Sequence, residues 1–413
     1  MATIHPFRAL RPRPSDAAQI AAVPYDVVTA VEARQLAEGQ PLSFLRVSRA
    51  EIELPDGTDP FSEAVYVRAA ANFSKLRDTA LVVEEAPSVY FYRLRMGLHE
   101  QTGLAACVSL DEYDRGVIKK HERTRRDKED DRTRHMIALG AQTGPVFLTY
   151  RSSAEIDALA DRATRATPLF DFEAADLVRH TIWRIGGVDR DALVAAFARI
   201  PALYVADGHH RAASAARARD ELRARAARGA PGAPSGDGAD CATMLAVAFP
   251  HDQVQILAYN RLVRDLGGLS AGQFLQAVRE RFTLEQGPAV PARRGDIAMY
   301  FQGTWQILRP RATPDTADVI ASLDVSVLQD GLLSPVLKVG DIRTDKRVDF
   351  VGGARGTAAL ENAVRTGEAA VAFSLFPVRI ADLMAVSDAG AIMPPKSTWF
   401  EPKLRDGLLI HAI

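Results

Sequence analysis

The stretch Leu203-Tyr204-Val205-Ala206-Asp207-Gly208-His209-His210-Arg211, continued by Ala212-Ala213-Ser214-Ala215, decides how this chain is read. Its apolar start predicts a short buried strand over 203–206, and the Ala/Arg-rich run behind it predicts a long helix from about His209 to Arg228. Strand and helix meet at Asp-Gly with nothing between them. Gly208 permits a sharp turn, so the free amides of the first helical turn converge on one point. Those amides and the positive end of the helix dipole make an anion site, to which Arg211 and a histidine add charge. The plainer alternative makes Asp207 an N-cap and leaves the histidines on the surface. Asp, two His and Arg packed together at one strand–helix junction favour a functional site.

Bulk properties limit what such a site can serve. The 413 residues exceed what one core usually organises, so two or three domains are expected. The 51 Lys and Arg balance 52 Asp and Glu, for a net charge of −1. No global field therefore draws the chain to nucleic acid or to an anionic membrane, and any anion must be caught by local charge. Cys107 and Cys241 lie far apart in apolar or small-residue surroundings, which fits reduced, buried thiols. Residues 1–14 have no apolar signal-peptide core, and no apolar run approaches a membrane span. The expected location is cytoplasmic, without membrane or nucleic-acid partners.

Helices are expected around 31–38, 61–79, 154–163, 190–199, 270–282, 357–366 and 378–386. Strands are expected at 89–96 and 104–110, joined into a hairpin by Gln101-Thr102-Gly103, and at 146–150 behind Gly144-Pro145. Further strands fall at 243–249 and 255–259, with a hairpin over 296–308 turning at Gln302-Gly303. Residues 229–240 read as a flexible surface loop, too rich in Pro, Gly and small residues to build a core. Strands and helices mix without strict βαβ alternation, so the fold class is α+β with mixed α/β sheets. Three segments are expected: 1–190, 191–290 and 291–413.

Three more blocks carry chemistry. Gly116 to Arg132 is a charge run whose later part, Glu129 to Arg132, reads as a solvated helix face. Its earlier part offers Lys119, Lys120, His121, Glu122 and Arg125 behind an apolar Val-Ile pair, a set suited to a phosphate clamp with an acid/base group. In Met393-Pro394-Pro395-Lys396-Ser397-Thr398-Trp399-Phe400 the prolines stiffen the backbone, so an ammonium and two hydroxyls can meet a phosphate. The glycine frame of a P-loop is missing there. Asp341 to Gly353 reads as a strand with Arg343, Asp345 and Arg347 on one face, either an exposed edge or the lining of a polar cleft.

At these blocks the sequence resembles the bacterial and archaeal family known as domain of unknown function 1015. The resemblance runs from Pro6-Phe7-Arg8-Ala9-Leu10-Arg11-Pro12, Ala22-Val23-Pro24-Tyr25-Asp26-Val27-Val28 and Pro41-Leu42-Ser43-Phe44-Leu45-Arg46-Val47 through the four blocks above. Arg126 stands where the family usually has proline, and 229–240 is a longer loop than usual. The Asp-Gly-His-His-Arg turn is also similar to the phosphate-gripping turn of the ParB N-terminal/sulfiredoxin-like fold, a superfamily that includes free-serine kinases. The resemblance implies a ParB/sulfiredoxin-like phosphate-binding core with an additional α/β region. It also implies phosphorylation of free L-serine, with pyrophosphate or a nucleotide as donor.

The expected activity is therefore a small-molecule phosphotransferase. Gly208, Arg211, Lys119, Lys120, Arg125, Lys396, Ser397 and Thr398 are the candidate phosphate ligands, and Tyr25, Asp26, Arg343 and Asp345 the candidate substrate ligands. Glu122, His121, Asp207, His209 and His210 are the candidate catalytic groups, with Mg2+ expected on Asp207 and the phosphates. The expected partners are a small substrate and a phosphate donor, with a homodimer as candidate assembly. Two alternatives stay open: a phosphoserine phosphatase-like hydrolase, and a non-enzymatic ParB-like nucleotide-binding or DNA-partition protein.

Overall fold

The strand expected at 203–206 forms as Leu203–Asp207 and belongs to a nine-stranded sheet. Its members are Ile4–His5 (β1), Val89–Met96 (β2), His99–Ser109 (β3), Ile118–Lys119 (β4), Val146–Tyr150 (β5), Phe170–Glu173 (β6), Val178–Ile185 (β7), Leu203–Asp207 (β8) and Thr243–Pro250 (β9). This is a computed structural model, and it describes residues 1–228, 240–312, 315 and 318–413. The loop expected over 229–240 lies, apart from Asp240, outside the described residues. Two units divide the chain: unit 1 holds 1–120, 124–254 and 402–413, and unit 2 holds 121–123 and 255–401.

The sheet of unit 1 runs β4-β8-β5-β9-β3-β2-β7-β6, with β1 paired to β3 beside that path. β4/β8 and β5/β9 are parallel and the other pairs antiparallel, so the architecture is mixed α/β. β5, β8 and β9 are buried almost throughout, which explains why they read as continuous apolar runs instead of alternating ones. One sheet face packs Phe91, Leu148, Val205 and Met244 with Phe197, Ala212 and Ala215. A second cluster gathers Ile20, Phe44, Phe73, Leu76 and Ile410.

The helices of unit 1 include Ala30–Ala37 (α1), Glu63–Thr79 (α2), Arg126–Leu139 (α3), Ala154–Ala163 (α4), Gly187–Phe197 (α5) and His209–Ala227 (α6). A reciprocal capping box between Thr29 and Glu32 starts α1. α3 ends at Gly140, whose left-handed φ of 62° closes the last turn. It lies along α6, joined by Ser214 Oγ donating to Glu129 O at 3.2 Å and Arg217 pairing with Glu129 at 3.2 Å.

Unit 2 is built on a six-stranded antiparallel sheet of Tyr259–Val263 (β10), Phe282–Gln286 (β11), Ile297–Phe301 (β12), Thr304–Pro310 (β13), Val348–Gly352 (β14) and Val371–Leu375 (β15). Its order is β11-β13-β12-β15-β10-β14. Ala271–Arg281 (α7), Gly356–Arg365 (α8) and Ile380–Asp388 (α9) complete it. The β12–β13 hairpin turns at Gln302-Gly303, as its sequence predicts. No helix among the described residues is long and apolar enough to cross a membrane.

Three expectations are corrected. The β2–β3 hairpin turns at Gly97-Leu98, not at Gln101-Thr102-Gly103. Gly97 takes the left-handed φ of 59°, while Gly103 sits in the ladder, where a Cβ would come within 2.7 Å of the Phe249 ring. That glycine serves close packing, which sequence alone does not separate from turning. The strand expected at 255–259 is two: Gln255–Leu257 pairs with Trp399–Glu401, and β10 follows in the six-stranded sheet. The strand expected from 341 begins only at Val348. Before it, Arg343 pairs with Asp341 at 2.6 Å and Arg347 with Asp345 at 2.7 Å, closing the segment into turns, so the shared face of Arg343, Asp345 and Arg347 does not form.

As for the three segments expected along the chain, β9 joins β3 and β5 in one sheet, and residues 402–413 return to unit 1.

Candidate functional site

In unit 1, β8 ends at Asp207, Gly208 turns with φ +90°, and α6 starts at His209. Only glycine takes that backbone conformation without strain. The N-cap of α6 is Gly208 and has no side-chain cap, so Asp207 is not a conventional cap. One Asp207 carboxylate oxygen accepts from the Gly208 amide at 2.7 Å, and the other accepts from Lys403 Nζ at 2.7 Å. Burial alone would raise this carboxyl, but Lys403, Arg211 and the Gly208 amide outweigh it and hold the group well below the usual carboxylate range.

Arg211 lies in the first turn of α6 and is buried. Its guanidinium donates to Pro145 O at 3.0 Å and to Asp26 at 3.1 Å, and lies 5.8 Å from the Tyr25 ring. Arg132 of α3 stacks on the same ring at 4.1 Å. Burial, with Asp26 adding to it, pushes the Tyr25 hydroxyl far above its ordinary value. Arg211, expected as a phosphate ligand, thus ties the turn to Pro145 and the Tyr25-Asp26 segment through hydrogen bonds to protein acceptors.

The charge block reaches the same turn. β4 runs beside β8 with Lys119 opposite Tyr204, and the Lys119 ammonium is 5.9 Å from the Tyr204 ring. Lys120 sits 3.7 Å from the Tyr113 ring, and burial lowers its pKa. The Arg125 amide donates to His210 Nε2 at 3.1 Å, while its guanidinium pairs with Asp127 at 2.7 Å. His209, next to Gly208, is buried. Unit 1 thus brings Tyr25, Asp26, Lys119, Arg125, Asp207, Gly208, His209, His210 and Arg211 to β8 and the start of α6, with Lys120 alongside.

Asp207 is also the carboxylate expected to take Mg2+. Both of its oxygens already accept from protein donors, one of them an ammonium, so on its own it does not fit a preformed divalent-cation ligand.

Unit 2 carries the remaining candidates. His121 O accepts from the Met393 amide at 2.8 Å, and His121 Nε2 lies 3.3 Å from Thr398 Oγ1. Ser397 Oγ donates to Pro394 O at 2.6 Å. Arg261, buried on β10, donates to Lys396 O at 2.9 Å and Pro395 O at 3.3 Å. Burial lowers the Arg261 guanidinium to about 10 against the opposing pull of Tyr259 and Glu122. Lys396 itself is exposed, with a left-handed φ of 56°. His121, Glu122, Lys396, Ser397 and Thr398 therefore converge within unit 2. Asp345 does not join them through its own bonds, which go to Arg347 at 2.7 Å and to the Gly340 amide at 3.2 Å.

Sequence reasoning missed Lys403, Asp406, Arg132 and Arg261. Asp406 is buried, and its backbone pairs with Ala22 in both directions. Its Oδ1 would lie 2.5 Å from a Cβ on Gly144, and among the described residues it has no hydrogen-bond partner. Burial pushes this carboxyl up to about 7, with Asp26 adding and Arg211, Arg132 and Arg405 opposing. No local spacing announces these residues. The nearest signal was the charged set Lys403, Arg405 and Asp406 shortly after Trp399-Phe400.

Several solved structures are similar at low identity. A free serine kinase in complex with AMP is 13% identical over 73% of this chain and 91% of its own, with a TM-score of 0.36. C-terminally truncated SbnI from Staphylococcus aureus is 14% identical over 73% and 85%, with a TM-score of 0.39. A conserved hypothetical protein from Pyrococcus furiosus is 13% identical over 74% and 94%, with a TM-score of 0.36. No curated protein matches the sequence. The family described as "Protein of unknown function (DUF1015)" matches over residues 4–326, and this chain, with its Asp-Gly-His-His-Arg turn inside that span, belongs to it.

Proposed function

We propose that the chain is a phosphotransferase that phosphorylates a small hydroxylated metabolite, free L-serine, from pyrophosphate or a nucleotide. The observation that carries this reading is the turn of unit 1, where Lys403, Asp207 and left-handed Gly208 fix the head of a 19-residue helix. Phosphoryl transfer asks a protein mainly for positioning and charge cancellation. The amides that open α6 have no helical carbonyl before them and point at an incoming phosphate. Lys119 adds positive charge beside β8. In unit 2, Glu122 or His121 is the proposed acceptor of the hydroxyl proton, with His209 of unit 1 as the rival base. Mg2+ is proposed to enter with the donor's phosphates, since Asp207 is already spent on protein donors.

Phosphoserine formation by wild type, Glu122→Gln and His209→Ala tests the reading. A large loss in at least one variant is expected, and full activity in both overturns the mechanism. A thermal-shift panel of pyrophosphate, ADP, ATP, CTP, serine and phosphoserine identifies the donor, because a ligand of the folded form raises Tm with its concentration over affinity. Phosphate release from phosphoserine without an acceptor would assign hydrolysis in place of transfer.

A further inference from the structure

Unit 2 contains a cleft of about 330 Å3 whose chemistry differs from that of a phosphate clamp. Glu122, Arg123, Asp341 and Arg343 supply both signs of charge, and Ile392 and Met393 supply an apolar side. Its volume is at the small end of ligand sites. The wall at 392–395 is held in place: the Met393 amide donates to His121 O at 2.8 Å, and buried Arg261 grips Lys396 O at 2.9 Å. The cleft is therefore preformed, with little ordering left for a ligand to impose.

The charges are not equally committed. Arg343 is spent on Asp341, with three guanidinium contacts of 2.6 to 3.1 Å. Arg123 is exposed, and among the described residues it has no ion pair or hydrogen bond. The formal charges of Glu122, Arg123, Asp341 and Arg343 sum to zero, so the cleft suits a ligand that is itself neutral overall, and the planar fork of the uncommitted Arg123 suits its carboxylate. Asp341 is 44% exposed, and its carboxylate keeps lone pairs beyond those that Arg343 occupies, so it can also accept from a ligand ammonium.

We infer that this cleft binds the acceptor as a free amino-acid zwitterion, with Arg123 taking the α-carboxylate and Asp341 the ammonium. Glu122, which lines the same cleft, then faces a side-chain hydroxyl on a three-carbon amino acid. The inference rests on the phosphotransferase reading for the fate of that hydroxyl, but not for the binding itself. It makes Arg123 a specificity-determining residue of the acceptor.

Calorimetric titration of wild type, Arg123→Ala and Arg123→Lys with L-serine, L-alanine, ethanolamine and pyrophosphate tests it. Arg123 is exposed, so both variants are expected to keep the wild-type Tm. The expected result is at least a tenfold loss of L-serine affinity in Arg123→Ala and partial rescue in Arg123→Lys. Weak ethanolamine binding and pyrophosphate affinity should both be unchanged. Unchanged serine affinity in Arg123→Ala overturns the inference, as does a fall in pyrophosphate affinity in its place, which would make the cleft a phosphate site. Failure of wild type to bind either amino acid also overturns it. If amino acids bind in an Arg123-dependent way but no phosphoserine forms, the phosphotransferase reading falls and the cleft assignment stands. If phosphoserine forms with the same serine KM in Arg123→Ala, the cleft assignment falls alone.

Discussion

The Lys403 ammonium lies 2.7 Å from the Asp207 carboxylate, a contact that spans 196 residues of sequence. It converts an Asp-Gly turn into a tied ion pair at the end of a buried strand. The carboxylate is anchored on both oxygens, so the backbone of Gly208 is held where the amides of α6 begin.

Lys403→Ala should therefore loosen the turn. Lys403 is 11% exposed and Asp207 36%, so solvent screens part of the loss, and about 1–2 kcal/mol of stability is expected to go at pH 7. The depressed Asp207 carboxyl contributes stability above its unfolded pKa, lost as pH falls through the lower folded value. The variant should lose less stability than wild type on acidification. Urea unfolding at pH 7 and pH 3 measures both effects, and equal losses would refute the pairing.

Gly208→Ala places a Cβ on a residue with φ +90°. The space is adequate, since the nearest atom, Val146 Cα, would be 3.5 Å away, so the cost is backbone strain of about 1–2 kcal/mol. Denaturant midpoints should drop accordingly. Binding of pyrophosphate or nucleotide should weaken more than the stability loss explains if the α6 amides hold phosphate.

Asp406 predicts a pH dependence of the opposite sense. Its folded carboxyl keeps a proton up to about pH 7, whereas the unfolded group releases it near pH 4. The folded state binds more protons between those values, so this contribution is full below pH 4 and declines as pH rises to 7. Asp406→Asn removes it, and a shallower stability slope over that window is expected, by an amount on the order of a few kcal/mol. Identical slopes for wild type and variant would rule out Asp406 as the titrating group.

Arg261→Ala strips the donor from three carbonyls, those of Tyr259, Pro395 and Lys396. A stability loss of about 2–4 kcal/mol is expected, with hydrogen exchange accelerated across 393–398. Lys396→Gly, relieving a left-handed lysine, should leave stability within about 1 kcal/mol of wild type and lower activity if the ammonium meets phosphate.

How much of this was legible can be judged element by element. β5, β8 and β9, the β12–β13 hairpin and α6 follow from runs of a few residues: continuous apolar strands, Gln-Gly at a turn, an Ala-rich helix behind a glycine. Each is decided by φ preference, hydrogen bonding and burial within one turn or one strand. The Gly103 and 341–347 readings failed where one signal serves two purposes. A glycine can turn the chain or admit a neighbouring ring, and alternating charges can share a strand face or pair locally into turns.

The sequence by itself determined the strand–Gly208–helix turn and the mixed α/β class, because both rest on interactions between near neighbours. Only the tertiary structure decided that Lys403 neutralises Asp207, that Arg211 is spent on Pro145 and Asp26, and that Asp406 is buried against Gly144. Those pairings follow from strand order and from the return of residues 402–413 to unit 1. A charge selects its partner by distance and desolvation in the folded chain, and neither is written in local spacing.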